Sequence, residues 1–119
     1  MKNTVSIIIP CYNAEHTILN TISAIKESIA AYNFDWSWEI VVINDYSDDD
    51  SYKIIEEKSK NEKEIKLFNN YKKGLGGAIN MGIEKSTGEV ICIMMADLSD
   101  DISDLKKYYN LIQTENIDA

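Results

Sequence analysis

Asp97 closes the run Ile91-Cys92-Ile93-Met94-Met95-Ala96-Asp97, and Ser99, Asp100 and Asp101 follow within one turn of chain. A buried strand does not tolerate an unpaired carboxylate, so Asp97 marks the point where an apolar strand leaves the core. Carboxylates in that place suit hard cations such as Mg²⁺ or Mn²⁺, which in turn hold phosphates. The same layout occurs twice earlier, at Pro10-Cys11-Tyr12-Asn13 and at Asn44-Asp45. Three polar strand ends imply one shared crevice.

Other reactive side chains offer less. Cys11 and Cys92 are too few for a disulfide scaffold, and each lies in or beside an apolar run where a buried free thiol is expected. His16 is the one histidine and falls near the start of an expected helix, at the surface. Asp48, Asp49 and Asp50 precede an expected helix and suit capping and its dipole. Gly74, Gly76 and Gly77 form a glycine-rich loop that lets backbone approach a ligand and presents N–H groups at a helix start. This is neither the dinucleotide fingerprint nor a P-loop: the third glycine position is Ile79, and the loop follows the third strand rather than the first.

The elements that must position these groups alternate. Residues 5–9 form a short β-branched run expected to end as a strand at Pro10. Ile18, Ile22, Ile25 and Ile29 give helical spacing over residues 14–32. Residues 38–43 read as a second strand, 51–60 as a helix, 65–68 as a short strand, and 74–86 as the glycine loop and its helix. Residues 89–95 form a fourth strand and 101–114 a last helix, for which Asp100 and Asp101 can serve as caps. Strands apolar on both faces, alternating with helices, imply an α/β fold with a doubly wound, mostly parallel, Rossmann-like sheet. Ligands of such sheets bind beyond the carboxyl ends of the strands.

A chain of 119 residues is one domain or part of one. All 12 positive residues are Lys and the net charge is −8, which argues against nucleic acid as a partner. No signal peptide is visible, and no segment approaches the roughly 20 apolar residues of a membrane span. A reducing cytoplasm is the expected location, which allows attachment of a longer chain to the inner face of the membrane.

The motifs, taken in order, resemble family 2 glycosyltransferases, inverting enzymes of the GT-A fold. The resemblance runs from Val5-Ser6-Ile7-Ile8-Ile9-Pro10-Cys11-Tyr12-Asn13 through Ile43-Asn44-Asp45 and Lys73-Gly74-Leu75-Gly76-Gly77. It ends in Ala96-Asp97-Leu98-Ser99-Asp100-Asp101. The branch it is most similar to is that of polyprenyl-phosphate sugar transferases. The resemblance implies that Pro10, Tyr12, Asn13, Asp45, Lys73, Gly74 and Asp97 contact the donor nucleotide, with Asp45 on the base. It also implies that Asp97, supported by Ser99, binds a divalent cation, Mg²⁺ or Mn²⁺. Many members carry Asp-x-Asp there; this chain has Met95 at the first position.

The activity so implied is transfer of a sugar, with inversion, from a UDP- or GDP-sugar to a glycan or polyprenyl-phosphate acceptor, in cell-envelope polysaccharide or glycolipid synthesis. A nucleotide-binding module without activity is the alternative. Residues 1–119 correspond to the nucleotide-sugar-binding part of the catalytic domain, truncated before the acceptor half and its catalytic base. The fourth strand would then lie at an open edge, and a homo-oligomer is expected.

Overall fold

The computed structural model describes residues 4–31 and 37–96. Four strands and three helices alternate: β1 (Thr4–Cys11), α1 (Ile18–Ala31), β2 (Ser37–Asn44), α2 (Ser51–Asn61), β3 (Ile65–Asn69), α3 (Leu75–Lys85) and β4 (Val90–Ile93). The strands form one sheet in the order β3-β2-β1-β4, and every pairing is parallel. The chain therefore winds outward from β1 to β3, then returns across β1 to lay down β4.

The apolar strand runs are explained by cover on both faces. Ile7, Ile9, Ile40 and Val42 pack with Ile18, Ile22 and Ile25 of α1 and Ile55 of α2 on one side. Ile8, Val41 and Ile43 pack with Ala78 and Met81 of α3 on the other. Neighbouring residues of one strand thus serve opposite layers, the period-2 rule applied to a sheet buried twice.

Three expectations need correction. β1 does not stop at Pro10 but runs to Cys11, with Pro10 in register with Ile43. Ile8 O accepts from Met94 N at 2.9 Å just beyond β4. By alternation Pro10 faces that same side, where β4 has ended, so its missing N–H removes no ladder bond. Second, the glycine segment is not a loop: α3 begins at Leu75 and includes Gly76 and Gly77. Gly74 alone takes a positive φ, 118°, and a side chain at Gly77 would collide with the Lys72 carbonyl. Third, β4 is shorter than expected at both ends. The expected helix over residues 101–114 lies outside the described residues.

Gly82 lets α3 close on the sheet. It lies against the Ile8 side chain, where a Cβ would overlap Ile8 Cγ2 and force α3 away from the sheet. β3 and β4 are the edge strands among the described residues, and Ile93 on β4 is exposed. No helix among the described residues is long and apolar enough to cross a membrane.

Candidate functional site

A cleft of about 590 Å³ opens beyond the carboxyl ends of β1, β2 and β4, lined by Pro10, Tyr12, Asn13, Asp45, Leu75, Met95 and Ala96 among others. Four of the residues singled out from the sequence, Pro10, Tyr12, Asn13 and Asp45, thus meet on one surface. Gly74 joins them through a direct bond to Asp45. Lys73 precedes Gly74 and is exposed, but it does not line the cleft. Asp97 and Ser99 lie outside the described residues, as do Asp100 and Asp101.

The loops after β1 and β2 are laced together. Asn13 takes a left-handed φ of 47°, a region that Asn tolerates. Its Oδ1 accepts from Asp48 N at 2.7 Å, and its own N–H donates to Ser47 Oγ at 3.0 Å. Ala14 N donates to Ser51 Oγ at 2.8 Å, and Glu15 N to Asp49 Oδ2 at 3.2 Å. In return Glu15 Oε2 accepts from Asp50 N at 3.1 Å. Of the three aspartates expected to cap α2, Asp49 does so, its Oδ1 accepting from Ser51 N at 3.0 Å, whereas Asp50 makes no side-chain cap bond. Burial works against the Asp49 charge, but the Ser51 hydroxyl and these N–H donors outweigh it and hold its pKa below the usual value.

Tyr12 stands 56% exposed above this laced base, leaving a ring face open to a planar ligand. Asp45 is fixed from three directions. Its N–H donates to Cys11 O at 2.8 Å. Its Oδ1 accepts from Gly74 N at 3.0 Å and from Asn70 Nδ2 at 2.9 Å. Oδ2 carries no hydrogen bond among the described residues.

On the far wall, the chain leaving β4 is gripped from α1 and the turn before it. Thr17 Oγ1 and Thr21 Oγ1 both donate to Ala96 O, at 3.0 and 2.8 Å. The residue before the expected metal ligand Asp97 is therefore fixed to the core. A carboxylate and a hydroxyl, Asp97 and Ser99, are the oxygen donors a hard cation takes, whereas the Met95 thioether is too soft. Among the described residues no group of three His, Cys, Asp or Glu side chains could hold a metal ion.

Burial pushes the thiols of Cys11 and Cys92 up to about 11, which suits packing and not nucleophilic attack. Sequence reasoning missed Asn70, Thr17 and Thr21. Thr17, in the turn just before α1, and Thr21, on its buried face, are spaced i, i+4, and that spacing was the available signal. For Asn70 the signal was a second polar residue directly after β3.

The family model "Glycosyl transferase family 2" matches residues 6–119. An Escherichia coli protein named UDP-Glc:alpha-D-GlcNAc-diphosphoundecaprenol beta-1,3-glucosyltransferase WfgD is 38% identical over 78% of this chain and 34% of its own length. A Trichomonas vaginalis dolichyl-phosphate beta-glucosyltransferase, ALG5C, is 32% identical over 94% of this chain and 35% of its own. The chain thus spans about a third of the length of these curated relatives. Among solved structures, glucosyl-3-phosphoglycerate synthase from Mycobacterium tuberculosis with UDP superposes at TM-score 0.66 and 18% identity, covering 94% of this chain and 40% of that one. The mannosyltransferase PcManGT from Pyrobaculum calidifontis, in complex with GDP-Man and Mn²⁺, gives 0.57 and 22%, covering 82% and 28%. Those two likenesses show the fold, that of GT-A glycosyltransferases.

Proposed function

The chain belongs to glycosyltransferase family 2, and on that premise we propose that it forms the nucleotide-sugar-binding part of an inverting sugar transferase. The donor is a UDP- or GDP-sugar. The observation that carries this reading is the Asp45 carboxylate, fixed in the cleft with one oxygen free of hydrogen bonds among the described residues, on the same cleft as an exposed Tyr12 ring. A base stacked on Tyr12 would donate an N–H to that oxygen, a charge-assisted hydrogen bond. Pro10 and Asn13 shape the wall behind it, and Lys73 and the N–H groups opening α3 supply positive potential for the diphosphate. A divalent cation at Asp97 and Ser99 would add charge beside the departing diphosphate.

Transfer is direct displacement at the sugar's anomeric carbon. A glycan hydroxyl would need a general base, whereas a polyprenyl phosphate arrives ionised and needs none. The names of the relatives favour a lipid-linked acceptor. A thermal-shift panel of UDP- and GDP-sugars, with and without Mn²⁺, tests the proposal. Stabilisation by one nucleotide, enlarged by Mn²⁺ and reversed by chelator, is expected. No shift with any nucleotide would remove the reading, and a shift without Mn²⁺ dependence would remove the metal from it. Binding without turnover in a longer chain would leave the nucleotide-binding module.

A further inference from the structure

Asn70 follows β3 directly and is 5% exposed. Its backbone N–H donates to Asn44 O at 2.9 Å, so it sits beside the strand end that carries Asp45. Its carboxamide is engaged on every side. Nδ2 donates to Asp45 Oδ1 at 2.9 Å and to Lys72 O at 2.6 Å, and reaches Gly74 O at 3.4 Å. Oδ1 accepts from Lys72 N at 3.2 Å. A buried carboxamide bound in this way has one orientation, and it fixes whatever it holds.

What it holds is one oxygen of Asp45. Oδ1 has two acceptor sites, and Asn70 Nδ2 and Gly74 N fill both. Oδ2 remains. An unconstrained carboxylate offers two parallel acceptors and suits a two-donor edge, as it suits a guanidinium. Guanine carries such an edge, its ring N–H beside its exocyclic amino group. Uracil carries a single imide N–H between two carbonyl acceptors. We propose that Asn70 is a positioning residue that sets base specificity: by occupying Asp45 Oδ1 it leaves a one-acceptor site, which takes a uracil nucleotide and leaves guanine's second donor unpaired. A buried donor without a partner is the kind of penalty that separates two otherwise similar ligands. The inference rests on the donor-nucleotide reading above and narrows it.

Calorimetric titration of the protein with UDP, GDP and inorganic pyrophosphate tests it, in the wild type, in Asn70→Ala and in Asn70→Asp. The last variant keeps the acceptor for Lys72 N but loses the donor to Asp45, so it covers the case in which Asn70→Ala does not fold. UDP is expected to bind the wild type roughly tenfold more tightly than GDP, and that ratio is expected to collapse toward one in the variants. Pyrophosphate affinity is expected to stay unchanged, which a general loosening of the site would not allow. A wild type that prefers UDP together with variants that keep the preference overturns the role of Asn70 alone. A wild type that prefers GDP overturns the one-acceptor argument. A wild type that binds neither nucleotide removes the donor reading and this inference with it.

Discussion

At the scale of single residues, Asp45 does two things with its two oxygens. Oδ1 holds Asn70 and the Gly74 turn, and Oδ2, without a hydrogen bond among the described residues, is the atom proposed to meet the base. Asp45→Asn separates them, because a carboxamide oxygen can keep Asn70 and Gly74 in place while the amino group turns a donor toward the base. Nucleotide affinity is expected to fall by about 1.5–3 kcal/mol, with thermal stability nearly unchanged. Calorimetry and a melting curve on one sample check both halves, and intact affinity would make Asp45 a turn residue only. Asp45 and Tyr12 were legible in the sequence because they end or follow apolar runs. Asn70 was not, because its value lies in a bond to a residue 25 positions earlier that no local pattern records. Thr17 and Thr21 escaped for the same reason: their partner, Ala96 O, is a backbone atom more than 70 positions away.

At the scale of elements, the sheet and the helices among the described residues were legible from apolar patterning, since strands covered on both faces carry continuous apolar runs such as residues 7–9 and 40–43. The boundaries were not. Whether Pro10 ends a strand depends on how far the neighbouring β4 reaches, and whether Gly76 and Gly77 are helical depends on where the Gly74 turn is anchored. Both are tertiary facts. Gly82 shows an element whose position depends on one missing atom. It brings α3 against Ile8, so Gly82→Ala trades better helix propensity, worth about 1 kcal/mol, against a collision with a buried side chain. Overpacking of this kind costs about 1–3 kcal/mol, and the collision is expected to win. Denaturant unfolding is expected to show a lower midpoint for Gly82→Ala than for Gly76→Ala, since Gly76 faces open space. Equal midpoints would show that α3 can shift without cost.

At the scale of the whole molecule, the cleft lies at the carboxyl ends of the strands, and the opposite end is closed by one buried charge. Glu39 on β2 is 3% exposed. Ser6 on β1 donates to its Oε2 at 2.5 Å, Thr87 N from the α3–β4 link donates at 2.7 Å, and Lys66 on β3 pairs with Oε1 at 2.6 Å. Ser6 Oγ in turn accepts from Gly88 N at 2.8 Å, so β1, β2, β3 and the α3–β4 link are tied through or beside this carboxylate. Burial alone would raise the Glu39 pKa, but Lys66, Ser6 and Thr87 outweigh it and bring the value from 4.5 down to about 2. A group with a lowered folded pKa stabilises the fold fully above its unfolded value and loses that contribution as it is protonated in the folded state. The Glu39 contribution, about 3 kcal/mol, is therefore complete above pH 4.5 and drains away as pH falls toward 2. Glu39→Gln is expected to be less stable at pH 7, where it leaves Lys66 without its partner, and to show a flatter decline between pH 4.5 and 2. Asp49, also held low, keeps part of the acid sensitivity in that variant. Urea unfolding at pH 7, 4.5 and 3 measures both slopes. If the wild type and Glu39→Gln lose stability in parallel over that window, the carboxylate is not what closes the closed end of the sheet, and the acid response belongs to the laced loops at the cleft instead.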